Sequence, residues 1–375
     1  MKRTVSFVLV LVMCLSVICS CGSKKQEPKE KTFKIMHETK FGGIYFDSTI
    51  EEFNALGYDY GDSVDIVFSN GEKLEDLPYY NGYYVDIGDP LLVAYPGYPY
   101  IEAAINYGDD PWILLGLDEE CTAAITLRES GKYLRIQEAR DIKYSDEQGS
   151  QSDEVFGNFR SVKVGDLKEG ILYRSASPCN NEHCRAAVVD RLASEAKIGF
   201  MINLSDTNEN IEQFIAEEDF SSPYFLSLYE DGKVAALGLS ANFKSESFSA
   251  KLAEGLIKAT ENDGPYLVHC VEGKDRTGYV MMILEALAGA TYSEIIDDYM
   301  LTYDNYYGIN INSDKERYEV IKEKNIDMMI RYMTGIGEDV DFDQISLVPY
   351  AFNLLVTMGM TDVQVTALQE KLTGK

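Results

Sequence analysis

Apolar and polar positions along the first third of the chain come in short β-like runs. Val64-Asp65-Ile66-Val67-Phe68, Tyr83-Tyr84-Val85-Asp86-Ile87, Leu91-Leu92-Val93-Ala94-Tyr95 and Ala123-Ala124-Ile125-Thr126-Leu127 are separated by Asn70-Gly71, Asn81-Gly82, Pro96-Gly97 and Ser130-Gly131. Runs of that length with Asn-Gly and Pro-Gly corners predict a compact all-β barrel or sandwich. Farther along, apolar spacing shifts to three and four, which predicts helices over 185–196, 247–261, 277–290, 292–303, 314–332 and 361–372. A short buried strand at 266–268 lies between two of these helices, and strands alternating with helices are the pattern of an α/β sandwich. The expected organisation is a smaller barrel-like domain over 34–146, a polar linker over 147–154, and an α/β domain of central sheet flanked by helices over 155–375.

The first residues belong to neither core. Lys2-Arg3 precedes an apolar run over 5–18, too short and too close to the terminus for a spanning helix. The run ends Ile18-Cys19-Ser20-Cys21-Gly22-Ser23, which resembles the lipobox of bacterial lipoproteins. That resemblance implies a signal peptide over 1–20, lipidation of Cys21, and a polar tether over 21–33. A lipid anchor would hold the protein to the membrane of the bacterial cell envelope, facing outside the cytoplasm. A plain cleaved signal peptide is the alternative.

Formal net charge is −28 and the acidity is spread over both halves, so no basic face is available for nucleic acid. Cys121, Cys179, Cys184 and Cys270 are too few and too scattered for a disulfide scaffold, and Cys179 and Cys184 are expected free. The histidines His37, His183 and His269 lie far apart in sequence, so no metal cluster and no cofactor is expected, with His37 and His183 at the surface. Trp112 is expected in the core or between domains.

The chemistry concentrates in His269-Cys270-Val271-Glu272-Gly273-Lys274-Asp275-Arg276-Thr277-Gly278. These residues sit between an apolar strand and a helix, where a turn points successive N–H groups into one concavity with a helix N-terminus behind it. Such a turn binds an oxyanion and favours a thiolate at Cys270. Arg276 can clamp two phosphate oxygens, which lysine cannot do. Gly273 and Gly278 free the backbone for close approach.

These residues resemble the phosphate-binding loop of the cysteine-dependent protein tyrosine phosphatase superfamily. The Gly-Lys-Asp-Arg-Thr-Gly run is similar to a bacterial branch that also accepts phosphoinositides, and the resemblance extends over about 155–375. Asn158-Phe159-Arg160 and Gly170-Ile171-Leu172-Tyr173-Arg174-Ser175 are similar to the entry strands of that branch. The strand at 198–204 departs from it: Asn203-Leu204-Ser205-Asp206 stands where an Asp-Leu-Arg is usual. The resemblance implies Cys270 as nucleophile, Val271, Glu272, Gly273, Lys274, Asp275 and Arg276 as the phosphate-binding loop, and His269, Thr277 and Gly278 in support. Thr277 would donate its hydroxyl to the sulfur.

The expected activity is metal-independent phosphomonoester hydrolysis through a phosphocysteine, on phosphotyrosine or dual-specificity protein substrates. Phosphoinositides or inositol phosphates are the alternative, and a surface lipoprotein that only binds phosphorylated ligands is a reading from another class. A general acid is needed. Trp112 is the only tryptophan, so the usual Trp-Pro-Asp loop is absent. Asp275, matching the proposed acid of the bacterial branch, Asp206 after a strand, and Asp231 in a Glu-Asp-Gly turn remain candidates. Lys274 fits a second phosphate while Glu272 opposes it. Asp297-Asp298 reads as a solvent-facing helix feature.

In the first domain, Phe41-Gly42-Gly43 and the stretch Ile101 to Gly108 resemble the C-terminal barrel of S-adenosylmethionine hydroxide adenosyltransferases. The catalytic half of those enzymes has no counterpart in this chain, so adenosyl chemistry is not implied.

Overall fold

A computed structural model describes residues 30–337 and 340–375. The expected signal peptide and Cys21 lie outside the described residues. Among the described residues no helix is long and apolar enough to cross a membrane.

The first architecture is a closed barrel of strands β1 (Lys31–Glu38), β2 (Gly43–Phe46), β3 (Ser63–Phe68), β4 (Lys73–Tyr80), β5 (Pro90–Val93), β6 (Glu102–Ile105) and β7 (Thr122–Glu129). Their order around the barrel is β1-β2-β6-β5-β4-β3-β7. β1 pairs antiparallel with β7 to close it, and β4 and β5 form the parallel pair. Alternate residues such as Phe33, Ile35, Ile44, Ile66, Leu92 and Ile125 fill the interior. Trp112 joins that core and stacks on His37, whose Nε2 lies 2.6 Å from Asp110 Oδ2. His37 is therefore a half-buried packing residue, and not the surface residue expected. β1 begins at Lys31, inside the stretch expected as tether.

Two further expectations change. Tyr83–Ile87, read as a strand, is an irregular loop, and the strand runs over Lys73–Tyr80 instead. Charged residues and Pro78 masked it, since proline removes a ladder donor. The stretch before 155 is also no detached spacer. A helical turn starts at Asp153, and Tyr144 to Asp146 pack on the second half through Arg185.

The second architecture is a five-stranded sheet in the order β11-β10-β12-β9-β8, from β8 (Arg160–Ser161), β9 (Leu172–Ser175), β10 (Phe200–Asn203), β11 (Val234–Ala236) and β12 (Tyr266–His269). β9, β12, β10 and β11 run parallel. Both faces are covered, and Phe200-Met201-Ile202 and Tyr266-Leu267-Val268 are apolar accordingly, while β9 carries the buried Arg174. Phe200, Ile202, Tyr266 and Val268 face one core, while Met201 and Leu267 face the other. The helix Asp275–Leu287 is buried on every side from Thr277 onward and forms the axis of the larger core. Helices at Ala186–Glu195, Glu246–Glu261, Tyr292–Tyr307 and Asp362–Thr373 agree with the apolar spacing. The long helix expected over 314–332 is interrupted by a π turn at Lys322–Asp327. Short helices at Asn208–Ile215, Pro223–Glu230 and Val348–Thr357 lacked a clear period in the sequence.

The barrel carries one titratable group out of place. Glu102 is buried on β6; burial, then the charge of Glu38, pushes its carboxyl up to about 7. The Glu38 carboxylate accepts the amides of Lys40, Phe41 and Gly42 at 2.7–3.1 Å. A carboxyl raised in the fold keeps a proton that the unfolded chain releases, so its stabilising share is complete at acid pH and lost as pH climbs toward 7. Glu102→Gln is therefore expected to raise the thermal midpoint more at pH 8 than at pH 5. Equal effects at the two pH values would mean that Glu102 is not protonated in the fold.

Candidate active site

The parallel strands end together at Ser175, Asn203 and His269, which share one register. Clefts of α/β sheets form at these carboxyl ends, and the Cys270 loop leaves β12 there. Its carbonyls are turned outward and tied down. Ser177 N–H donates to Val271 O at 3.0 Å, and the Tyr306 hydroxyl donates to Glu272 O at 2.6 Å. Arg174 Nη2 donates to Gly273 O at 2.8 Å, and Asn158 Nδ2 reaches both Glu272 O and Gly273 O. No amide from Val271 to Arg276 donates to a protein acceptor among the described residues. These amides are left for an anion at the start of the helix Asp275–Leu287.

Glycine is required at two points. Gly273 has φ +68°, and a Cβ there would stand 2.1 Å from Ser175 O. At Gly278 a Cβ would meet the Tyr299 ring at 2.5 Å.

Behind the loop lies a buried ionic network that the sequence reading missed. Asp298 accepts from Arg160 Nε at 2.8 Å and Arg174 Nη1 at 2.6 Å. Arg160 also donates to Asn158 Oδ1 at 2.7 Å, so both arginines and the asparagine hold the loop as one unit. Asp298 was expected to face solvent; it is 8% exposed. Burial would raise its carboxyl, but Arg160 and Arg174 outweigh this and hold it well below the ordinary range. Glu285, wholly buried and beside Asp298, is pushed far above the ordinary range, first by burial and then by the Asp298 charge. Arg160 and Arg174 stand in the two segments quoted for the family resemblance, which was the available signal; their partner on a distant helix was not legible.

Residues 156–374 match the model of the tyrosine phosphatase family. The chain belongs to that family. Among solved structures it is similar to an uncharacterized conserved protein from Thermotoga maritima, at 20% identity over 25% of this chain and 35% of that one, with a TM-score of 0.22. The chain thus spans about a third of the Thermotoga protein. It is also similar to the core catalytic domain of the PP-IP phosphatase SIW14 from S. cerevisiae, at 19% identity over 48% of this chain and 91% of that one, with a TM-score of 0.26. No curated protein matches.

Within this tyrosine-phosphatase-family half, Cys270 lies on the floor of the loop, 3% exposed. Arg276 is on the first turn of the helix, and its Nη1 donates to Leu239 O at 2.9 Å. Asp275 has a side chain 53% exposed at the mouth. Lys274 is not free for a second phosphate: its ammonium sits 2.9 Å from Glu272 and 3.8 Å from Asp275. Burial would lower the Lys274 ammonium, yet Asp275 and Glu272 hold it well above its ordinary value. Glu272 and Lys274, expected to pull opposite ways on substrate, neutralise each other instead.

His269 is wholly buried beneath the loop, and burial pushes its imidazole down to about 4 despite the Asp206 carboxylate. Thr277 Oγ1 is buried without a hydrogen-bond partner, so the expected bond to the sulfur is not formed. Asp206 is buried, with Ser205 Oγ 2.8 Å from its carboxylate, and does not line the cleft beside Asp275. Asp231 caps the helix Pro223–Glu230 and pairs with Lys233, ahead of β11 and so at the amino ends of the parallel strands. The structure brings Asp275 to the mouth of the loop and leaves Asp231 across the sheet from it. Cys121, Cys179, Cys184 and Cys270 carry no disulfide; burial pushes the Cys179 thiol well up.

The network generates a test. Asp298→Ala would leave two buried guanidiniums unpaired, a loss of about 3–5 kcal/mol for a broken buried pair. A clear fall in the thermal midpoint is expected, with loss of turnover even below that midpoint because Gly273 O is no longer held. A variant with unchanged midpoint and activity would show that the network does not hold the loop.

Proposed function

We propose that this protein is a metal-independent phosphomonoester hydrolase that works through a phosphocysteine and acts on phosphotyrosine or dual-specificity protein substrates. The observation that carries the reading is the outward anchoring of the loop carbonyls around Cys270, which leaves its amides for the substrate oxygens. The Cys270 thiolate attacks phosphorus as the P–O bond to the leaving group breaks. The amides of the loop and the Arg276 guanidinium stabilise the equatorial oxygens. Asp275, the exposed carboxyl at the mouth, gives its proton to the leaving oxygen. Water then attacks the phosphocysteine and Asp275 takes a proton from it. The P–S bond breaks, restoring the thiolate and releasing inorganic phosphate.

Pairing of Lys274 with Glu272 supports substrates with one phosphate over highly phosphorylated inositols, since no uncompensated second cation stands on the loop. The polar segment after the apolar leader supports a lipid-anchored location in the cell envelope, with Cys21 as the acylated residue.

Cys270→Ser is expected to abolish turnover while keeping phosphate binding, and Arg276→Lys to cost on the order of a hundredfold or more, the scale of one lost oxyanion donor. Asp275→Asn is expected to slow substrates with poor leaving groups far more than those with good ones. Steady-state rates on a panel of phosphopeptides and phosphoinositides, with vanadate as inhibitor, check all three. Robust cleavage by Cys270→Ser would end the covalent reading, and a thousandfold preference for lipid would replace the protein substrate.

A further inference from the structure

The family match begins at residue 156, yet residues well before it stand beside the catalytic loop. A cleft of about 200 Å³ has Asp275, Arg276, Phe243 and Tyr279 on one side. Its opposite wall comes from the barrel: the irregular loop at Tyr83–Ile87, Asn106 and Tyr107 after β6, and Arg140 just beyond the barrel. We propose that this barrel wall is the specificity-determining surface for the leaving group, and that Tyr84, Tyr107 and Arg140 there receive the ring of an aryl phosphate whose phosphoryl group lies on the Cys270 loop. The inference rests on the phosphatase reading above.

Three observations support it. The wall is fixed in place: Asn106 Nδ2 donates to Val85 O at 2.9 Å, and Lys244 from the other half donates to Ile87 O at 3.2 Å. Arg140 Nη1 donates to Asn325 Oδ1, and its guanidinium stands 5.7 Å from the Tyr84 ring centroid. Asn325 belongs to the π turn at Lys322–Asp327, a local widening of the helix that often accompanies functional sites, and it is held by donating to the Tyr303 hydroxyl at 2.7 Å.

The walls are also aromatic. Phe243 and Tyr279 stack at 4.5 Å on the catalytic side, facing Tyr84 and Tyr107 on the barrel side. Finally, the cations of the wall are engaged. With Arg276 assigned to the transferred phosphoryl, Arg140 is held by Asn325 and stands over Tyr84, and the Lys324 ammonium lies 3.6 Å from Glu323. A neutral ring fits this cleft better than a leaving group bearing further phosphates.

The test compares kcat/KM of the full chain for free phosphotyrosine, a phosphotyrosine peptide and acetyl phosphate, whose leaving group is too small to span the cleft. Arg140→Ala and Tyr107→Gly are the variants. Tyr107 is half exposed at φ +50°, a conformation that glycine adopts without strain, so this second variant keeps the fold if the first does not. The ratio of kcat/KM for the aryl phosphates to that for acetyl phosphate is expected to fall threefold or more. Equal losses for free phosphotyrosine and the peptide would identify the ring itself as the recognised group, whereas a loss confined to the peptide would show that the wall reads flanking residues and would overturn the inference. A smaller fall for both aryl substrates in a folded variant overturns the inference and leaves the phosphatase reading intact. Absence of Cys270-dependent turnover in the wild type would instead remove that reading, and the inference with it.

Discussion

The catalytic loop depends on one constraint: its carbonyls must be held outward so that its amides point inward. Backbone groups of a tight turn do not take that arrangement unaided, because each buried carbonyl needs a donor. In this protein the donors are Asn158, Arg174 with the nearby Ser177 amide, and Tyr306, drawn from three separate segments. Asp298 makes the arrangement rigid by fixing both Arg160 and Arg174. A buried carboxylate would be costly alone; between two guanidiniums it orients them. Oxyanion stabilisation then comes without reorganisation when substrate arrives, since the donors are already aimed.

A second consequence of local pairing concerns charge. The chain carries −28 overall, a field that repels phosphorylated substrates. Near the loop that field is offset by compensation at short range. Lys274 and Glu272 cancel, while Arg160 and Arg174 share the single carboxylate of Asp298 and so leave positive charge behind the loop. Arg276, the helix amides and that buried excess are the local attraction for an anion. The acidity of the surface and the anion preference of the loop coexist because the first is screened by solvent and the second is largely buried.

The loop itself was legible in the sequence because its chemistry is contiguous: nucleophile, glycines and arginine lie within a few residues. The strand β12 was legible because both of its faces are buried, which writes a short apolar run, whereas β9, with the sequence Leu-Tyr-Arg-Ser, and β10 were legible from their resemblance to the family's strands. Barrel strands β3, β5 and β7 were legible from their turns, whereas β4 was hidden by Glu75, Asp76 and Pro78. Asp298 was misread because a charged residue on a helix usually faces water, and only the tertiary fold supplies its two arginines. The helix over 314–332 was read as continuous because a π turn adds a residue to one turn without changing composition. Thr277 was assigned to the sulfur by its place in the motif, and spacing along the chain does not fix where a hydroxyl points.

Closure of the barrel through β1 and β7 has a bearing on how the protein meets other molecules. A sheet that wraps onto itself has no free edge, so a visiting peptide cannot dock by extending it with an extra strand. Whatever the barrel touches, it must read through side chains and loop tips. Recognition there is consequently a matter of shape and ring contact, tunable one residue at a time.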